Sequence, residues 1–206
     1  MHTGTLPLNT LYKPDLLSVG IVLAPCEAVQ PVLKRQLQKV IKRDTVCSRL
    51  ENVVWESFFE QSGTLYDMSR FQIALLCPSE KLAVYVCNLA DGWISVFGNL
   101  VAAGAFDAYF FRATLAQQAP YKVFEMQGWR GGALERHLRV LQDEDGWSFL
   151  NKGDPLPFES PMQYKRRQIG ARLDWRLLER YSEALGYRIG AVTESGGQCW
   201  RFWRNG

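Results

Sequence analysis

Residues 137–159 read HLRVLQDEDGWSFLNKGDPLPFE. His137 to Leu141 alternates apolar with polar side chains, and Trp147 to Leu150 alternates again. Between them, Asp143-Glu144-Asp145-Gly146 offers an Asp-Gly pair, which supplies the backbone angles a tight hairpin turn requires. The part from 142 to 159 also carries five carboxylates, so it has to be weighed as a metal loop or an acid cluster. As a calcium loop it fails, because counting from Asp143 puts Trp147 and Ser148 where an oxygen ligand and a glycine are needed. As paired acids, Glu144 and Asp145 would sit at an exposed tip where water keeps both ionised, with no burial to raise either pKa. The stretch reads as a β-hairpin, which makes the sheet antiparallel.

Outward from this hairpin the same reasoning covers the chain. After a polar arm at 1–15, Ser18 to Leu23 is an apolar run that reads as a buried first strand, too short to span a bilayer. Pro25 opens a helix over 27–43: Val29, Val32, Leu33, Leu37, Val40 and Ile41 form its apolar face, and Lys34, Arg35, Gln38, Lys39, Lys42 and Arg43 its basic one. Strands are expected at 53–59, 71–76 and 82–87, with turns at 61–63 and 78–80. Asp91 is placed to cap a helix running to Ala103, with Trp93, Val96, Phe97, Leu100 and Val101 as its stripe. Strands follow at 108–113 and 121–126, and Gly128 to Gly132 reads as a flexible connection.

Beyond the hairpin, Ser160 and Pro161 have the residue types that start a helix, with Met162, Ile169 and Leu173 along one side. Asp174 starts another, carrying Trp175, Leu178, Tyr181 and Leu185 and stopped by Gly186. Strands at 188–192 and 198–203 around a turn at 194–197 finish the chain. Runs of strands with a few helices indicate an α+β fold, mostly antiparallel, with amphipathic helices packed on the sheet in one domain over 1–206.

Composition excludes little but is consistent with that fold. At 206 residues with 47% hydrophobic and 13% aromatic content, the chain can bury a sizeable core. A net charge of +3 falls short of the concentrated basic footprint of a dedicated nucleic-acid binder. Cysteines at 26, 47, 77, 87 and 199 show no CxxC spacing and the histidines are only His2 and His137, so no zinc site is expected. Five unpaired thiols suit a reducing cytosol. No nucleophile elbow or phosphate loop is present; Gly128-Trp129-Arg130-Gly131-Gly132 lacks the lysine of a P-loop. His137 is the one internal histidine, and an enzyme built on it is the alternative the residues leave open. A second is a nucleic-acid-binding module using Arg166, Arg167 and the Trp200-to-Arg204 segment.

Four segments in order carry a further signal: CNLADGW (87–93), GWSFLNKGDPLPFE (146–159), YKRRQIGARL (164–173) and LLERYSEALGYRI (177–189). In these, over roughly residues 80–190, the chain resembles small cytoplasmic immunity proteins of bacterial polymorphic-toxin and type VI secretion systems, of the type numbered immunity protein 52. The resemblance implies a cytoplasmic, cofactor-free, non-enzymatic protein. It would bind a cognate toxin, often a nuclease, and occlude its active site, touching neither membrane nor nucleic acid itself. Glu144, Asp145, Trp147 and Asp154 are the contact residues that reading selects. Inhibitors of nucleases are frequently acidic overall, and a charge of +3 departs from that pattern.

Overall fold

A computed structural model of the chain describes residues 16–41, 45–50, 58, 71–89, 91–194 and 199–204. The elements are β1 (Leu16–Val22), α1 (Cys26–Ile41), β2 (Thr45–Leu50), β3 (Gln72–Ser79), β4 (Leu82–Cys87), α2 (Ile94–Gly104), β5 (Ala108–Thr114), β6 (Lys122–Arg130), β7 (Ala133–Asp143), β8 (Gly146–Lys152), α3 (Trp175–Ala184) and β9 (Cys199–Arg204). The strands form one nine-stranded antiparallel sheet in the order β2-β9-β3-β4-β1-β5-β6-β7-β8. The fold is therefore α+β, as the sequence indicates. The expected strand at 53–59, apart from the buried Phe58, lies outside the described residues, as do the arm at 1–15 and the turns at 61–63 and 195–197.

Both faces of the sheet are covered at its centre, which explains why β1 and β4 are apolar at nearly every position. On one face Ile73, Tyr85 and Phe110 meet α1 and α2 through Val29, Leu33, Leu37, Phe97 and Leu100. On the other, Val19, Val84, Phe111, Met126 and Val140 meet Leu173, Leu178, Tyr181 and Ile189. Burying each such side chain is worth roughly 1.5–3 kcal/mol. Phe97 sits at the middle of the first layer, with ring centroids 5.3 Å from Tyr85 and Phe110 and 5.5 Å from Trp129. Gly20 lies beneath its ring, where a Cβ would collide with it.

Several local expectations change. Asp91 does not cap α2: its Oδ1 accepts the Trp93 N–H at 2.8 Å, while Gly92 and Trp93 both take positive φ, so the helix starts only at Ile94. Val40 points to solvent at 44% exposed, while Ile41 next to it packs against the core. Gly128 to Arg130 continue β6 through a register shift, and the turn is made by Gly131 and Gly132 alone, at φ 53° and 85°. The helix expected after Ser160 breaks into two 3₁₀ turns, Pro161–Lys165 and Ile169–Ala171, and Met162 is 73% exposed. Only polar and basic residues separate Tyr164 from Ile169, so no continuous apolar stripe exists to hold an α-helix there. The strand expected at 188–192 lies instead in the 3₁₀ turn Ile189–Glu194, whose buried Ile189 and Val192 stand three apart, the period of that helix. β2 lies where the sequence pattern predicts no strand.

The thiols are not all unpaired. Cys26, at the start of α1, is disulfide-bonded to Cys77 of β3 with Cα atoms 5.7 Å apart, while Cys47, Cys87 and Cys199 are free. The two lie 51 positions apart in sequence, and only the packing of α1 over β3 brings them together, so no spacing could reveal it. The argument for a reducing compartment from unpaired thiols loses that support.

Candidate functional site

The β7–β8 hairpin forms as its sequence dictates. Asp143 pairs with Gly146, whose φ is 106°, and Glu144 and Asp145 occupy the two-residue tip, both exposed. Asp143 Oδ1 accepts the Asp145 N–H at 3.1 Å. Glu144 is held sideways by the Tyr121 hydroxyl, which donates to Oε1 at 2.8 Å; that bond holds the phenol above its ordinary pKa. Trp147 is 37% exposed, one edge resting on Gly170.

Register places more at this end of the sheet. Lys122, Gln142 and Trp147 lie opposite one another across β6, β7 and β8, on the α3 side. Beside them opens a cavity of about 410 Å³ walled by Leu115, Phe124 and Trp175, with Thr114, Gln117 and Lys122 at its edge. A volume of this size admits one or two large side chains or a small ligand. Glu144, Asp145 and Trp147 are thus brought together with Tyr121 and this cavity. Asp154 is not: it follows the far end of seven-residue β8, a displacement of roughly 24 Å at about 3.4 Å per residue.

At that far end the sequence hides a buried polar network. Arg136 points inward with Leu138 and Val140 and is 1% exposed. Its Nε and Nη2 donate to Glu159 Oε1 and Oε2 at 2.7 and 2.6 Å, and its Nη1 donates to Asn151 Oδ1 and to the carbonyls of Lys152 and Gly153 at 2.7, 2.9 and 2.7 Å. Burial opposes the charge, but Glu159 outweighs it and holds the guanidinium above its ordinary pKa. Glu159 also accepts from the Tyr164 hydroxyl at 2.8 Å, and Tyr181 lies 2.9 Å from that hydroxyl. Burial, then these bonds, push the Tyr164 phenol far above its usual range. The network fastens the loop after β8 to the sheet. One signal existed in sequence: Arg136 occupies an inward position of an alternating strand. Glu159, Tyr164 and Tyr181 carry none.

A second cluster surrounds Glu125 on the opposite face. Glu125 is 1% exposed, ion-paired with Arg112, and accepts from Gln127 Nε2 at 2.9 Å; His137 Nε2 lies 2.7 Å from its Oε1. Burial raises its pKa, but the bond to His137 and the charge of Arg112 prevail and hold it at about 2. His137 is thereby fixed by a carboxylate that is ionised at neutral pH. Among the described residues, no group of three or more His, Cys, Asp or Glu could hold a metal ion, and no helix is long and apolar enough to cross a membrane.

Comparison of the chain with protein-family models, with curated proteins and with solved structures finds no match.

Proposed function

We propose that this chain is a non-enzymatic immunity protein that binds a cognate antibacterial effector in the cytoplasm and occludes its active site. The observation that carries the reading is the grouping of exposed Glu144 and Asp145, with Trp147 and Tyr121, beside the cavity between Phe124 and Trp175. Aromatic anchors next to a pocket carry most protein–protein binding energy, while charges at the rim steer and select the partner. The two carboxylates at a projecting tip suit a basic groove such as a nuclease presents to its substrate. They act locally, so the overall charge of +3 does not oppose them. The resemblance of residues 80–190 to immunity proteins supports the same class. Backbone pairing and the Tyr121 bond hold the tip in one shape, which lowers the ordering cost of binding.

The test is protection. The product of the adjacent reading frame is expressed in a host cell with and without this chain. The reading expects killing without the chain, survival with it, and loss of protection by the E144Q/D145N/W147A variant at unchanged protein level. Full protection by that variant would place the contact surface elsewhere. An adjacent product that harms no cell would remove the class.

A further inference from the structure

The sheet face around Glu125 has a feature that partner occlusion does not use. Ser18, Arg112, Glu125, Arg139 and Leu150 form one row across β1, β5, β6, β7 and β8; Gln127, His137 and Lys152 form the next across β6 to β8. Neighbouring strands stand about 4.8 Å apart and successive same-face residues about 6.8 Å, so Arg139, His137 and Lys152 share one small patch. The turn before α2 closes the β1 end, since Gly92 lies against Ser18 and Phe110. On this side α2 reaches β6 only at its end, through Phe97 against Trp129, and the core formed with α1 and α2 takes in no described residue of β7 or β8.

Charge is unbalanced there. Arg112, Arg139 and Lys152 surround a single carboxylate, and both oxygens of Glu125 are already engaged by Arg112, His137 and Gln127. Among the described residues neither Arg139 nor Lys152 has an ion-pair partner. With Nε2 turned to Glu125, the imidazole presents its other nitrogen away from that carboxylate. A guanidinium, an ammonium and an imidazole spaced this closely match the several oxygens of a phosphate group, which Arg can engage through two parallel bonds. No large aromatic ring is exposed on this patch to stack a base: its apolar neighbours are Val123, Leu141 and Leu150.

We propose that Arg139, His137 and Lys152, on the face opposite α3, form a binding site for a phosphate group, free or as a small monoester. The site is independent of the hairpin tip and of the reading built on it. Its test is a titration of the isotope-labelled chain with inorganic phosphate and, separately, with adenosine monophosphate, followed at the His137 ring and the Arg139 side chain. Saturable shifts with a Kd on the order of 1 mM or tighter are expected, with R139Q and K152Q each weakening it about tenfold. E144Q/D145N should leave it unchanged. Tighter binding of the monoester names a phosphorylated metabolite and equal binding names phosphate itself; either upholds the site. Shifts that stay linear through roughly ten times that concentration, or that persist unchanged in R139Q and K152Q with unaltered melting temperature, overturn it.

Discussion

Arg136 of β7 and Glu159 of the segment after β8 form a two-pronged ion pair, 2.7 and 2.6 Å, with both side chains at most 1% exposed. The pair is a joint between the sheet and the loop that follows the hairpin. Two charges removed from water are stable only while each has its partner. Glu159→Ala leaves a buried guanidinium without its carboxylate, and the Tyr164 hydroxyl and the Leu156 N–H lose their acceptor. The expected loss of stability is about 3–5 kcal/mol, read from the denaturant midpoint. Loss below 1 kcal/mol would mean that the loop is held by its apolar contacts alone.

Glu125 predicts an acid limit. Its folded pKa, about 2, lies below the ordinary carboxylate value of 4.5, so its ionised form is favoured by folding. That contribution is fully present above the unfolded value and fades as pH falls from about 4.5 toward 2. Urea unfolding across this range should show a decline that is shallower in E125Q, which is itself less stable at pH 7 for want of a charged partner to Arg112. Equal pH slopes in the two proteins would contradict the assignment.

The cysteines predict a labelling pattern. Cys26 and Cys77 are bonded, Cys87 is buried with its thiol pushed by that burial to about 12, and burial also raises Cys199. Only Cys47, half-buried beside Gln30, should react with a thiol reagent in the folded, oxidised chain. Mass spectrometry should find one adduct before unfolding and three after it. Replacing both Cys26 and Cys77 by alanine should cost about 2–4 kcal/mol.

Gly153 predicts a backbone defect. Its φ is 83°, and a Cβ there would strike the carbonyl oxygen of Glu135. Gly153→Ala should therefore lower the melting temperature and loosen the Arg136 bond to the Gly153 carbonyl, whereas Gly146→Ala, with open space around it, pays only for its positive φ. Equal effects would mean that conformation alone, not the close approach, constrains position 153.

What the sequence makes legible follows from range. The hairpin at 143–146, the stripe Val96-Phe97-Leu100-Val101 and the cap at Asp174, which accepts from the Leu177 N–H at 2.8 Å, are local patterns, and each is found where its residues place it. The tip residues were legible for the same reason. Long-range partners were not: Cys77 for Cys26, Glu159 for Arg136 and Phe124 with Trp175 are set by how helices and a loop pack onto the sheet. Asp154 shows the converse. It neighbours the tip in sequence, yet a whole strand carries it to the other end of the sheet.

The most direct measurement is a calorimetric titration of the adjacent reading frame's product with this chain and three variants. The account predicts saturable one-to-one binding, weakened about 30-fold or more in W147A, weakened and made less salt-dependent in E144Q/D145N, and unchanged in D154N, all with native melting temperatures. Binding that W147A and E144Q/D145N leave intact, or no binding at all, would contradict it.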